Sequence, residues 1–246
     1  MRLNRVYLDQ PLQLNDRFDL PTDAVRHLVT VLKMQAGSDI ELFNGDGNRY
    51  QATLTQVAKK QVTVNVNAVN ADHSESPLRL HLAQGISRGD KMDLTLQKAV
   101  ELGVQEITPL FTERCGVKLN AERLQKKQQH WQKVIISACE QCGRNRLPKL
   151  NPPTQFNAFF EKLMAENNAL DTLLLLDPHQ GQSIRTLRQN DEFTLLIGPE
   201  GGLSDPELEF ARQKGATAIQ LGPRILRTET AGLAAISSLQ ATFGDF

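Results

Sequence analysis

Two glycine-bearing turns hold the side chains of this chain best suited to chemistry. The first is Leu195-Leu196-Ile197-Gly198-Pro199-Glu200-Gly201-Gly202-Leu203-Ser204. An apolar run leads into it, and a helix capped by Ser204 or Asp205 is expected to leave it. Glycines in such a turn let backbone approach a ligand closely and take left-handed φ. No Gly-Lys-Ser/Thr follows, which excludes a phosphate-cradling P-loop, and a tight strand–helix turn without a ligand is the competing reading. The second turn is Leu221-Gly222-Pro223-Arg224-Ile225-Leu226-Arg227-Thr228-Glu229-Thr230-Ala231. Arg227 stands where a helix capped by Thr228 should begin, placed to meet an anion or a polarised carbonyl. Glu229 falls in the first helical turn, where a carboxylate also simply suits the helix dipole.

Two basic groups stand apart from these turns. Lys91 and Lys98 lie a heptad apart on one face of a predicted helix, although Lys98 and Glu101 have the spacing of a surface ion pair. In the helix predicted over 121–140, Leu124, Trp131, Val134, Ile135 and Ala138 make an apolar stripe. Arg123, Lys126, His130 and Lys133 fall on another face, and Arg144 and Arg146 follow the helix. Such a face suits a phosphate backbone, or is an ordinary solvated face. Cys139-Glu140-Gln141-Cys142 has a zinc-ligand spacing, but Cys115 is the only cysteine left, so no metal is expected. The pair also sits near a helix end, whereas a redox Cys-x-x-Cys normally opens a helix. His27 is expected to be packed or solvent-facing.

The elements that must position these groups fall into two regions. Residues 1–72 read as a small β-barrel-like domain. Asp39–Asn44 and Tyr50–Val57 flank a turn-rich Asn-Gly-Asp-Gly-Asn, and Val62, Val64 and Val66 alternate with polar residues. One helix interrupts the strands, capped by Asp23, with Val25, Leu28, Val29 and Leu32 as its apolar face. The polar segment Ala71 to Pro77 reads as the linker, and residues 73–246 as the second domain. There, strands at 78–83, 107–111, 172–176, 194–197 and 218–221 alternate with helices near 91–102, 121–140, 154–166, 205–214 and 228–240. Alternation of this kind implies an α/β fold with a largely parallel sheet. An early Gly-x-Gly-x-x-Gly is missing, which argues against a doubly wound dehydrogenase.

Composition narrows the partners. The formal net charge is zero and aromatic residues make up 5%, so neither bulk basicity nor base stacking dominates. The distribution is uneven: residues 112–150 hold nine Lys/Arg against three Asp/Glu, and residues 171–246 hold six against ten. Three cysteines offer no disulfide framework and suit a reducing cytoplasm. Met1-Arg2-Leu3-Asn4-Arg5 opens no signal peptide, and the longest apolar run, Leu173 to Leu176, is far too short for a membrane span.

Gly198 to Gly202, the run Leu221 to Ala231, Lys98-Ala99-Val100-Glu101-Leu102-Gly103 and Glu140-Gln141-Cys142-Gly143-Arg144 occur together and in chain order. This joint signature closely resembles the bacterial 16S ribosomal RNA uridine-N3 methyltransferases of the SPOUT class, over nearly the whole chain. The resemblance implies a C-terminal trefoil knot, a PUA-like RNA-binding β-barrel at the N-terminus, and a homodimer. It implies S-adenosylmethionine held in the knot by Leu175, by Ile197, Gly198, Pro199, Glu200, Gly201 and Gly202, and by Leu221, Gly222, Ile225, Leu226 and Thr230. It also implies methylation of one uridine in the decoding region of the small subunit, with Lys91, Lys98, Arg123, Lys126, Arg144 and Arg146 as RNA contacts. The residue types suit that reaction. Uracil N3 carries a proton at neutral pH, so a base must remove it and a cation must stabilise the charge that develops on the flanking carbonyls. Arg227 fits the electrostatic role, and Glu229 or Glu200 the role of proton acceptor or positioning group. A non-catalytic RNA-binding module for ribosome assembly is the reading from another class. It would need the basic face but not the two glycine turns beside Arg227.

Overall fold

A computed structural model of the chain describes residues 3–117, 120–165 and 172–246. The opening Met1-Arg2 and the last residue of the helix expected over 154–166 lie outside the described residues. The chain divides into two compact units, one of residues 1–75 with 139–147 and one of 76–138 with 148–246. Residues 139–147 thus fold with a unit from which the linear reading separated them.

The first unit is built on a five-stranded sheet of β1 (Asn4–Tyr7), β2 (Arg17–Asp19), β3 (Asp39–Phe43), β4 (Asn48–Ala58) and β5 (Gln61–Ala71), in the order β1-β3-β4-β5-β2. The β3–β4 hairpin closes where expected. Its turn is held by Asn44 and Asp46, whose carboxamide and carboxylate oxygens accept the backbone N–H of Asp46 and Asn48. The alternating Val62, Val64 and Val66 are buried with Tyr50, Ala52 and Leu54. The short helix α1 (Thr22–Arg26) starts from Pro21 rather than from an Asp23 cap, and Asp23 sits in the first turn. It then widens into a π-helical turn, His27–Val31, in which Leu32 N–H bonds His27 C=O five residues back. The wider turn rotates Leu32 off the apolar face. Val25 and Leu28 are buried as expected, while Leu32 is exposed.

Residues 139–147 are tied to this sheet by buried polar contacts. The Arg5 guanidinium pairs with Glu41 and donates to Arg144 C=O at 2.8 Å and to Asn145 Oδ1 at 2.7 Å. Arg144 is itself buried and pairs with Glu75 at 2.6 Å. Its charge is therefore used inside the unit, where the sequence reading expected it at the RNA. Burial pushes the Cys139 thiol up to about 12, so it is a packed, unreactive group.

The second unit carries an all-parallel sheet of eight strands. In chain order its elements are β6 (Arg79–Gly85), α2 (Asp90–Glu101), β7 (Glu106–Phe111), α3 (Ala121–Cys142, of which the residues from Cys139 on count with the first unit), β8 (Lys149–Leu150), β9 (Thr154–Gln155), α4 (Phe156–Ala165), β10 (Leu173–Leu176), β11 (Gln182–Ser183), β12 (Glu192–Ile197), α5 (Asp205–Gln213), β13 (Thr217–Gln220) and α6 (Thr228–Phe243). The strand order is β11-β13-β10-β12-β6-β7-β8, with β9 also on β7. The chain leaves β6 in one direction through β7 and β8. It returns to the other side for β10, and β12 then enters between β6 and β10. The central strands are buried on both faces and hence near-continuously apolar, as in Leu173-Leu174-Leu175-Leu176. Trp131, Ile135 and Ala138 of the expected stripe on α3 are buried, and Leu124 and Val134 half-buried. No helix among the described residues is long and apolar enough to cross a membrane.

Candidate active site

Because the sheet is parallel, the turns after β6, β10, β12 and β13 all emerge at one edge. Where strand order reverses, such turns diverge and leave a crevice. Here the crevice is a cavity of about 450 Å³. Its wall comes from three segments, 176–179 after β10, 197–203 after β12 and 221–229 after β13, joined by Lys91, Arg114, Asp205, Leu208 and Ala231.

The turn after β12 is held from several sides. It crosses the end of β6 so closely that a side chain on Gly85 would come within 2.5 Å of Pro199 N. Beneath it, a Cβ on Gly201 would lie 3.1 Å from Arg114 Cβ. The Arg114 guanidinium donates to Gly201 C=O and Leu203 C=O, both at 3.2 Å. Ser204, not Asp205, caps α5, in a capping box with Glu207. The Glu200 carboxylate accepts Arg88 N–H at 2.9 Å and lies 3.7 Å from Lys91 Nζ. Partial burial opposes its charge, but the hydrogen bonds from the backbone N–H of Arg88 and of Glu200 itself, with Lys91 and Arg88 nearby, hold its carboxyl below the usual value.

The turn after β10 is shaped by Asp177, which is 1% exposed. Its Oδ1 accepts the N–H of His179 at 2.8 Å and of Gln180 at 3.2 Å, and Oδ2 pairs with Arg212 of α5. The turn after β13 presents Arg224, Ile225 and Arg227 to the cavity, all exposed. Arg227 is the N-cap residue of α6, with no hydrogen bond or ion pair from its side chain among the described residues. Thr228 is therefore not the cap: it is the first helical residue, and its hydroxyl donates to Gly198 C=O at 2.6 Å. Glu229 lines the cavity with Oε2 buried and without a hydrogen-bond partner.

Of the residues expected to hold a cofactor, Ile197 through Gly202, Leu221, Gly222, Ile225 and Leu226 line this cavity, as do the catalytic candidates Arg227, Glu229 and Glu200. Leu175 is packed in the core one residue short of the lining Leu176, and Thr230 is exposed on α6 outside the lining. Lys91, expected at the RNA, stands in the cavity wall against Glu200. Lys98 pairs with Glu101 and Lys126 with Glu122, and Arg123 is exposed at the start of α3. Arg146 is in the first unit, its guanidinium packed over Gly47. Sequence reasoning missed Arg114, Asp177, His179 and the hydroxyl of Thr228. Only Asp177 had a local signal, an acidic residue before Pro178 at the end of an apolar strand. No group of metal-ligating side chains occurs among the described residues.

Fold and site define an α/β protein of parallel sheet whose cavity is walled by loops at the carboxyl ends of three strands. A family model for the RNA methyltransferase domain matches residues 74–240, and one for the RNA methyltransferase PUA domain matches residues 20–67. A ribosomal RNA small subunit methyltransferase E of Buchnera aphidicola subsp. Schizaphis graminum is 37% identical over 99% of this chain and 98% of its own. Two solved structures cover 100% of both chains. One is a methyltransferase of Legionella pneumophila in complex with bound S-adenosylmethionine, 42% identical with a TM-score of 0.93. The other is a ribosomal RNA small subunit methyltransferase E of Neisseria gonorrhoeae bound to S-adenosylmethionine, 39% identical with a TM-score of 0.94. The chain belongs to the RNA methyltransferase family, in its ribosomal RNA small subunit methyltransferase E group. This membership favours a catalytic protein over a non-catalytic RNA-binding module.

Proposed function

We propose that this protein transfers the methyl group of S-adenosylmethionine to N3 of one uridine in the decoding region of 16S ribosomal RNA. The observation that carries the reading is a single cavity that gathers both glycine turns, an unpaired arginine and a carboxylate with an unsatisfied buried oxygen. The residues fit the cofactor. The cavity volume is within the range for a small-molecule site, about 300–1,000 Å³. Ile197, Leu208, Leu221 and Leu226 offer apolar wall for an adenine, and the glycine turns offer backbone groups for its polar edge. When bound, the cofactor supplies an electrophilic methyl group.

The chain's own residues must then prepare N3. Glu229 is the better proton acceptor of the two candidates, because one of its oxygens has no partner. Glu200 is held in its charged form by Arg88 and Lys91, which makes it a weak base and suits it to positioning the turn. Arg227 has a guanidinium without a partner among the described residues at the start of α6, where it can stabilise negative charge on the uracil carbonyls. RNA is gripped by residues 1–72, a PUA-like barrel, and along Lys98, Arg123, Lys126 and Arg146, with Lys91 at the cavity wall. Residues 73–246 form a trefoil-knotted SPOUT domain that works as a cytoplasmic homodimer, on rRNA within the small subunit. The test is to map modified bases in 16S rRNA from a strain lacking the gene. One 3-methyluridine should disappear and return with the wild-type gene but not with Arg227→Ala. An unchanged modification map refutes the assignment, and a monomer by sedimentation that is fully active refutes the dimer.

A further inference from the structure

Gln84 is the next-to-last residue of β6, in the centre of the sheet, and is fully inaccessible to solvent. Its amide nitrogen lies 3.0 Å from Gly85 C=O, 3.0 Å from Thr228 Oγ1 and 3.3 Å from Gly198 C=O. The Thr228 hydroxyl has one proton and gives it to Gly198 C=O at 2.6 Å. The contact between Gln84 and Thr228 must therefore run from amide to hydroxyl, which fixes the amide with its nitrogen toward the cluster. Turned the other way, its oxygen would face two carbonyls with no proton between them. The orientation leaves Gln84 Oε1 buried without a partner, a destabilising feature. A polar group kept at such a cost in the buried stretch of a central strand calls for a role beyond stability.

The cluster joins three segments: the end of β6, the first residue of the cofactor turn and the first residue of α6. Thr228 is flanked by Arg227 and Glu229. We propose that Gln84 and Thr228 form a buried clasp that sets the register between the Gly198 turn and the start of α6, so that Arg227 and Glu229 are aimed at the reacting atoms. Both are positioning residues, and the inference rests on the methyltransferase reading of the cavity.

The test uses full-length protein with Thr228→Val, Gln84→Met, the double variant and Thr228→Ser. Valine and methionine keep the shapes and remove the donors, while serine keeps the hydroxyl. Two readouts are taken: hydrogen exchange of peptides covering 198–203 and 226–231 without added cofactor, and turnover at saturating S-adenosylmethionine. Thr228→Val should speed exchange in both peptides and lower turnover, each about tenfold, as expected for loss of one buried hydrogen bond. Thr228→Ser should restore both. The double variant should be no worse than Thr228→Val alone, because the two residues act as one unit. Wild-type exchange in a folded Thr228→Val protein, effects that multiply in the double variant, or failure of serine to rescue would each overturn the clasp. If Thr228→Val does not fold, Gln84→Met alone decides, by the same exchange and turnover. Failure of the wild-type protein to bind S-adenosylmethionine would instead overturn the methyltransferase reading, and the exchange data would still judge the clasp.

Discussion

Asp177 is the residue whose removal should be felt at once by the fold and by the cavity. One carboxylate accepts two backbone N–H groups and pairs with Arg212, while its own N–H donates to Ile219 C=O at 3.0 Å. Asp177→Ala removes both acceptors and strands the guanidinium, but keeps the backbone bond to β13. A hydrogen bond to a charged group contributes about 1.5–3 kcal/mol. The Arg212 side chain is 29% exposed, and His179 and Gln180 are exposed, so water replaces part of what is lost. The net loss should be roughly 2–3 kcal/mol, which lowers the melting temperature of a domain of this size by about 5–10 °C. Half of that loss, felt by the 177–180 loop as disorder that binding must reverse, weakens S-adenosylmethionine affinity about tenfold. Asp177→Asn keeps the oxygen that accepts the two amides and should fall between alanine and wild type on both counts. Scanning calorimetry and titration calorimetry measure the two effects. A Tm within about 2 °C of wild type together with unchanged cofactor affinity would show that Asp177 does not organise this loop.

Three further outcomes follow from the same geometry. Gly201→Val should give a folded protein that no longer binds S-adenosylmethionine, since even its Cβ would press on Arg114 and dislodge the guanidinium that holds the turn; normal affinity by calorimetry would refute close backbone approach. Arg227→Ala should lower turnover by about two orders of magnitude or more while changing cofactor affinity far less, and the reverse pattern would make Arg227 a cofactor ligand. Glu200 ionises below its ordinary value, so the order it lends to the turn is complete above that ordinary value and is lost as pH falls through the lower, folded one. Cofactor affinity should therefore weaken on acidification through that window, and Glu200→Gln should bind less tightly at neutral pH and lose this acid limb; an acid limb that persists in the variant assigns it to another group.

What the sequence showed locally, and what only the folded chain could show, divide along the range of the interactions involved. Periodicity and capping act within a few residues. Leu173 to Leu176, the Val62-Val64-Val66 alternation, the Asn44–Asn48 turn and a helix start at Ser204 or Asp205 could all be read directly, and each element formed where its signal lay. Pairings over long distances leave no such trace. Asp177 meets Arg212, and Arg5 meets Arg144 and Asn145, only because strand order brings them together, so residues 139–147 could not be assigned to the first unit beforehand. The insertion of β12 between β6 and β10 is of the same kind. It places Lys91, which in the sequence reads as a solvated helix residue, in the cavity wall beside Glu200, because the end of β6, at the base of α2, lies next to the turn after β12. It also explains why Thr228 looked like a cap. A threonine before a helix has a local use for its hydroxyl, but here a carbonyl thirty residues earlier in the chain competes for it and takes it. The helix is left to start from Arg227, with no side-chain cap of its own. A helix start without its cap, beside a buried amide without a partner for its oxygen, marks a place where local stability has been given up to fix two turns against each other.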